Sequence, residues 1–417
     1  MKLKIGFGTQ PQIVDIPEQN ITAVLTPNMV EIRKRGKEAV EDALQNPIGT
    51  PPLSAIVRPG ERVVIITSDL TRPVPSYKIL PAVLEELWQA GARPEDVTVV
   101  FALGIHRTQT PDEMMRLVGD EVYHAVRCID GDPQDFVHMG QTKLGTPVDI
   151  TRIVAEADRR ICIGNIEYHY FAGYSGGAKA IMPGVSTRAA IQSNHSRMIL
   201  PAAAAGRLEG NPVRMDIEEA ITFCPIDFIV NVVLDEHKEI IHAVAGHFQQ
   251  AHRAGATFLD TLYRKEIDGR ADIVIASQGG APKDLNLYQT QKALDNASHA
   301  VKKGGIIILV GSCKEGLGEE VFADWMIKAP TSRSMILRIQ EEFQLGGHKA
   351  AAIALVLEDA DIYMVSDMEP AFVESIFLRP FQTVQAALDA ALAKQGANAS
   401  VLVMPYAGST LPIERQQ

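Results

Sequence analysis

Cysteine is scarce in this 417-residue chain: Cys128, Cys162, Cys224 and Cys313 are far apart and form no C-x-x-C pair. That excludes a zinc knuckle or a disulfide framework and reads as buried free thiols. No apolar run approaches the roughly 20 residues of a membrane span, and no cationic, apolar leader opens the sequence. A cytoplasmic protein with no membrane partner is therefore expected. Positive charge is also short, with a formal net charge of -11 and no basic stripe, and aromatic residues make up only 6% of the chain. Nucleic-acid surfaces need clustered cations and stacking platforms, so no such partner is expected. A small anion needs only a few local cations, and Arg72, Arg107, Lys179, Lys283 and Lys292 all fall in segments that read as loops or element ends.

What is present is alternation. Runs rich in β-branched residues, such as Arg62 to Ser68, Val97 to Leu103, Arg160 to Gly164 and Ile226 to Leu234, are separated by amphipathic stretches. A second set runs through Ala271 to Ser277, Gly305 to Val310, Asp361 to Ser366 and Ser400 to Met404. This pattern predicts an α/β protein with mainly parallel sheets flanked by helices. The length predicts two domains. We place them at 1–268 and 269–417, with a hinge near 266–271 where Glu-Ile-Asp-Gly-Arg breaks the apolar pattern, and the last residues packing back on the first domain.

Unusual residues follow the strands. Asp69-Leu-Thr-Arg-Pro73 follows the first, Gly104-Ile-His-Arg107 the second and Asn165 to His169 the third, while Ser277 to Lys283 follows a strand of the second set. Ligands of open α/β sheets bind beyond the carboxyl ends of strands, so an active site in the cleft between the domains is expected.

The segment from Asn165 to Gly184 sets Lys179 among Gly173, Gly176, Gly177 and Gly184. Glycines let backbone approach a ligand closely, and an apolar loop lowers a lysine's pKa and makes it nucleophilic. An ordinary lysine in a mobile loop is another reading; a phosphate loop is a third, but it requires Gly-Lys-Ser/Thr, and Ala178 and Ala180 flank Lys179 instead. His195 stands alone on a helix expected after Pro183-Gly184; it is either a surface ring or the single protein ligand of a metal whose other donors come from a cofactor. His106 beside Arg107 suits a general base held neutral by that cation, and His169 with it supplies the two acid/base groups that inversion of a stereocentre needs; each alone reads equally as an ordinary loop histidine. The histidines at 124, 138, 237, 242, 247, 252, 299 and 348 read as structural. Asp69, Thr71 and Arg72, with Pro73 fixing the turn, form either a carboxylate or phosphate clamp or a structural ion pair. Gln289 and Lys292 share a helix face with Tyr288 nearby, which reads as a ligand-facing surface or a solvated one.

These motifs, together with Gln-Gly-Gly-Ala-Pro-Lys-Asp, Tyr-Gln-Thr-Gln-Lys and Gly-Ser-Thr-Leu-Pro, occur in an order that resembles the nickel-pincer lactate racemase family. The resemblance implies nickel and a pyridinium-3-thioamide-5-thiocarboxylic acid mononucleotide bonded to Lys179, with His195 on the metal. It also implies His106 and His169 as the acid/base pair with Arg72 and Lys292 as further catalytic residues, Asp69, Thr71 and Arg72 against the cofactor, and Arg72, Tyr288, Gln289 and Lys292 around the substrate. The reaction implied is racemisation or epimerisation of a 2-hydroxy acid by reversible hydride transfer, lactate or another short aliphatic acid leading, with malate, phenyllactate and sugar acids as alternatives. Cofactor-synthesis and nickel-insertion proteins are the implied partners. Residues alone leave two rivals open: a non-catalytic carboxylate-binding protein using Arg72 and Lys292, and a lysine Schiff-base lyase.

Overall fold

The computed structural model describes residues 1–415 apart from Pro73 and Glu236. It divides into two compact units, Val30–Asp260 and Met1–Met29 with Thr261–Gln417.

The sheet of the 30–260 unit has the strand order Ile240–Gly246, Phe228–Leu234, Arg159–Asn165, Val63–Ser68, Val97–Ala102, Arg127–Asp130. Only the first pair is antiparallel. Parallel strands covered on both faces read as near-continuous apolar runs, and Val63 to Thr67 are accordingly all buried. The helix Ser76–Gln89 covers one face through Ile79, Leu80, Val83, Leu84 and Leu87. Its apolar residues recur at the three- and four-residue spacing of one helix face. Burying side chains of this kind contributes about 1.5–3 kcal/mol each.

The second unit holds an all-parallel sheet ordered Arg379–Phe381, Ala360–Val365, Val301–Val310, Ala271–Ser277, Val401–Met404, Ile21–Val24. Its last strand corrects the expected domain start. Ile21–Val24 completes this sheet, and Ile5, Val14 and Ile16 of the hairpin before it join the same core, so residues 1–29 belong with the C-terminal unit. The expected hinge segment is also ordered: Arg264–Ile267 is a strand paired with Leu411–Glu414 of the same unit.

Most expected elements occur within a few residues of their expected limits. Besides short helices of four to six residues, three longer ones do not correspond to any expectation: Gly36–Gln45, Pro212–Ala220 and Gly347–Asp359. The last is buried through Ala350, Ala351, Ala352, Ile353 and Ala354, so it is apolar on every side and shows no stripe to detect. Cys162, Cys224 and Cys313 are buried free thiols as expected, whereas Cys128 is half-buried.

Candidate active site

Three adjacent strands in the middle of the 30–260 sheet carry the candidate residues at their carboxyl ends. Ser68 lies in register with Ala102, and Ile66 with Cys162. The chains leaving these strands bring Asp69 and Arg72, His106, and the 165–179 segment to one end of the sheet.

Asp69 is buried, and its Oδ2 is 2.5 Å from His106 Nδ1. Its Oδ1 accepts from the Thr71 hydroxyl at 2.7 Å and the Thr71 amide at 3.1 Å. Burial raises its pKa, but the hydrogen bonds from His106 and Thr71 outweigh that and leave the carboxyl below its ordinary value. A carboxylate only accepts, so His106 carries its proton on Nδ1 and its lone pair on Nε2. Two expectations change here. The Arg107 guanidinium, expected to act on His106, instead pairs with Glu113 at 2.7 and 2.8 Å, where Glu113 closes the capping box of the helix Pro111–Val118. Asp69 is engaged by His106 and Thr71, while the Arg72 side chain is exposed at the same turn. Pro73 lies outside the described residues.

The strand Arg159–Asn165 runs into a glycine-rich loop that ends in a short 3-10 turn, Gly177–Ala180, carrying Lys179. Gly176 has φ +78°, and a Cβ there would sit 2.7 Å from Asn231 Oδ1. That amide oxygen accepts from the Gly177 N–H at 2.7 Å, so the loop closes on backbone no side chain would allow. Beneath it, buried His252 donates from Nε2 to the Ser175 carbonyl at 2.7 Å. Arg214, also buried, donates from Nε to the Ala172 carbonyl at 3.2 Å and from Nη2 to the Tyr174 carbonyl. Asn211, which caps the helix Pro212–Ala220, donates to the Phe171 carbonyl at 2.8 Å.

Phe171 is the hub. The His169 ring lies 4.5 Å from its centroid, the His195 ring 4.9 Å and the Lys179 ammonium 5.8 Å, so three expected site residues share one aromatic neighbour. Lys179 is held well below its ordinary pKa, first by burial and then by the positive charges of Arg214 and Arg72, against a smaller opposing effect of Glu167. His169 is likewise pushed well down, by burial and then by Lys179, His195, Arg72 and Arg214. Its Nδ1 accepts from the Ala172 amide at 3.3 Å, which puts the proton of the neutral ring on Nε2.

His195 ends the helix Arg188–His195, which Thr187 caps by accepting from the Ala190 amide. Its ring is buried, with Nδ1 3.0 Å from Asn194 Oδ1. Among the described residues no group of three or more His, Cys, Asp or Glu side chains is placed to hold a metal ion. A metal at His195 would thus take its other donors from outside the protein.

In the second unit the helix Leu287–Ser298, capped by Asn286, carries Tyr288, Gln289 and Lys292; Gln289 and Lys292 are exposed on it, as their spacing predicts. The Lys349 ammonium lies 3.9 Å from the Tyr288 ring centroid and donates to the Tyr288 carbonyl at 2.7 Å. Sequence reading did not single out Phe171, Asn194, Arg214 or Asp216, and took His252 only as structural. Asn194 adjoins His195, which was a signal; Arg214 and His252 reach the loop, and Asp216 the Asn194 side chain, from distant helices, which no local motif announces.

Solved structures give the fold directly. The chain superposes on the lactate racemase apoprotein of Thermoanaerobacterium thermosaccharolyticum with a TM-score of 0.87 and 32% identity, covering 100% of both chains. A protein from Thermotoga maritima, 17% identical with a TM-score of 0.60 over 91% of this chain and 97% of its own, shares the fold. By sequence the chain is 31% identical over 425 residues to the lactate racemase of T. thermosaccharolyticum, covering 99% of each, and 34% identical over 389 residues to that of Lactiplantibacillus plantarum, covering 88% of this chain and 89% of the relative. Fold, site and relatives define an isomerase of the racemase type, which sets aside the carboxylate-binding and lyase readings. The lactate racemase N-terminal domain matches residues 7–206 and the C-terminal domain residues 267–411. The chain belongs to the lactate racemase family.

Among the described residues, no helix is long and apolar enough to cross a membrane.

Proposed function

We propose that the protein racemises a short aliphatic 2-hydroxy acid, lactate first, with a nickel-pincer nucleotide attached at Lys179 and its metal on His195. The observation that carries this reading is the gathering of Lys179, His169 and His195 around Phe171. The donor set fits such a group. Lys179 offers an amine whose proton is weakly held, which suits acylation, and His195 offers one imidazole where a protein-only metal site would need more ligands. When bound, that group supplies an acceptor for the α-hydrogen as hydride, so no second negative charge builds beside the substrate carboxylate.

The protein's own residues do the rest. His106 Nε2 takes the hydroxyl proton, and Asp69 holds the ring in that tautomer and stabilises the imidazolium that results. His169 is assigned proton exchange at Nε2 on the opposite face, which requires its Nδ1 to release the Ala172 amide and carry the ring's other proton. Its depressed pKa keeps it neutral alone; an incoming carboxylate and the loss of the Lys179 charge on acylation both favour its protonated form. Arg72 is assigned the carboxylate, through the planar fork that suits it, and Thr71 with Asp69 borders the cofactor. Tyr288, Gln289 and Lys292 are assigned to substrate, with Lys292 among the groups acting in the reaction. Cofactor-synthesis and nickel-insertion proteins are the proposed partners, in the cytoplasm. The test is to make the protein alongside those enzymes, look for an adduct on Lys179 by intact mass, and follow single-enantiomer hydroxy acids by chiral chromatography. Adduct-bearing, nickel-loaded protein that interconverts none of them would refute the proposal.

A further inference from the structure

The hydrogen bonds that run from Asp216 through Asn194 to His195 have a fixed direction. Asn194 is fully buried, and its Nδ2 lies 2.7 Å from Asp216 Oδ2 and 3.2 Å from the Val213 carbonyl. A carbonyl only accepts, so the amide nitrogen faces that side; the flipped amide would set its oxygen against both acceptors. Asp216 is itself buried on the helix Pro212–Ala220 and is an acceptor throughout. The Thr146 hydroxyl donates to Asp216 Oδ2 at 2.6 Å, since a carboxylate only accepts, and itself receives Arg197 Nη1 at 3.1 Å and lies 3.1 Å from Ser193 Oγ. Thr142 receives the Thr146 amide at 3.1 Å, so its proton goes to Asp216 Oδ1 at 2.5 Å. With the amide so oriented, Asn194 Oδ1 is what His195 Nδ1 meets at 3.0 Å, and an amide oxygen can only accept.

We propose that Asn194 and Asp216 are positioning residues that lock His195 in its Nδ1–H tautomer with the lone pair on Nε2, the nitrogen turned to a metal. The metal half of this statement rests on the reading of His195 as the nickel ligand. Free imidazole favours the opposite tautomer, so a ligand presenting Nε2 gains from a fixed acceptor on Nδ1, and partners of this kind orient metal-bound histidines generally. The carboxylate of Asp216 polarises the Asn194 amide and makes its oxygen a stronger acceptor than an isolated amide. Ring orientation is set at the same time, because Asn194 precedes His195 in the last turn of its helix and Asp216 holds that side chain from a second helix.

The experiment reads the tautomer without metal. Protein labelled with nitrogen-15 at histidine is studied as apoprotein by long-range proton–nitrogen correlation, with His195→Gln assigning the signal. His252, whose Nε2 donates to the Ser175 carbonyl, is an internal reference of the opposite tautomer. His195 is expected as Nδ1–H in the natural protein. In Asn194→Leu it shifts toward Nε2–H while His252 does not change, and nickel leaves the cofactor-loaded variant for a chelator about 10–100-fold faster. Asp216→Asn keeps the side-chain volume and gives a smaller change in the same direction, which preserves the test should Asn194→Leu fail to fold. An Nε2–H signal in the natural apoprotein, or an unmoved tautomer in a folded variant, overturns the proposal and leaves the nickel reading standing. A locked Nδ1–H tautomer in protein that retains no nickel, although Lys179 carries its adduct, overturns the metal half instead.

Discussion

Replacing Asp69 by Asn tests the acid/base assignment most sharply, because the structure dictates where the new amide points. Thr71 supplies two donors to Oδ1, one of them a backbone N–H that cannot become an acceptor. The oxygen of the introduced amide therefore takes that place, and its NH₂ takes the place of Oδ2 against His106 Nδ1. His106 then accepts at Nδ1 and its proton moves to Nε2, the atom needed as base. The ring is still present and almost unmoved, but in the wrong tautomer. Positioned proton transfer contributes about 10²–10⁴-fold, so kcat should fall by that factor, about 3–5 kcal/mol of barrier, with a much smaller change in KM. Enantiomers have equal free energy, so kcat/KM must fall by the same factor in both directions, which chiral chromatography from each pure enantiomer checks internally. Loaded Asp69→Asn protein retaining kcat within about threefold, far less than the loss of a positioned base, would refute the role of this pair.

Three further outcomes follow from the same physics. Lys179 has a lower pKa in the fold than in the unfolded chain, so unfolding takes up a proton and apoprotein stability rises with pH up to about 10.4; Lys179→Met should flatten that rise in thermal melts, and parallel slopes would contradict it. Arg214→Met deprives the Ala172 and Tyr174 carbonyls of their donor, which should cost about 1–3 kcal/mol per group in urea unfolding and slow amine-reagent labelling of Lys179 as its pKa recovers. Unchanged labelling would show that the guanidinium does not act on Lys179. In the second unit Asp295 is pushed up to about 7 by burial, against the opposing charges of Lys349 and Lys292. The folded state then holds a proton that the unfolded chain releases, so stability falls from about pH 4 to 7, and Asp295→Asn should remove that fall.

Periodicity alone made the α/β class and most elements legible, since a covered parallel strand such as Val63–Ser68 must be apolar along its length and its helices must be striped. The candidates Asp69, His106, His169, Lys179 and His195 stood out because each interrupts that pattern where a strand or helix ends. Which groups face one another was not legible. His106 looked like the neighbour of Arg107, yet Arg107 is drawn to a helix cap six residues on, and Asp69 arrives from the adjacent strand. The first 29 residues looked like the start of one unit and complete the sheet of the other, because strand pairing depends on spatial edges and not on chain order. Arg214, Asp216 and His252 act from helices that carry no local mark of their task. Sequence determined which chemistry the chain could perform, since residue type and spacing are local; partners, tautomers and depressed pKa values were decided only by folding, because each depends on burial and on groups brought together from distant parts of the chain.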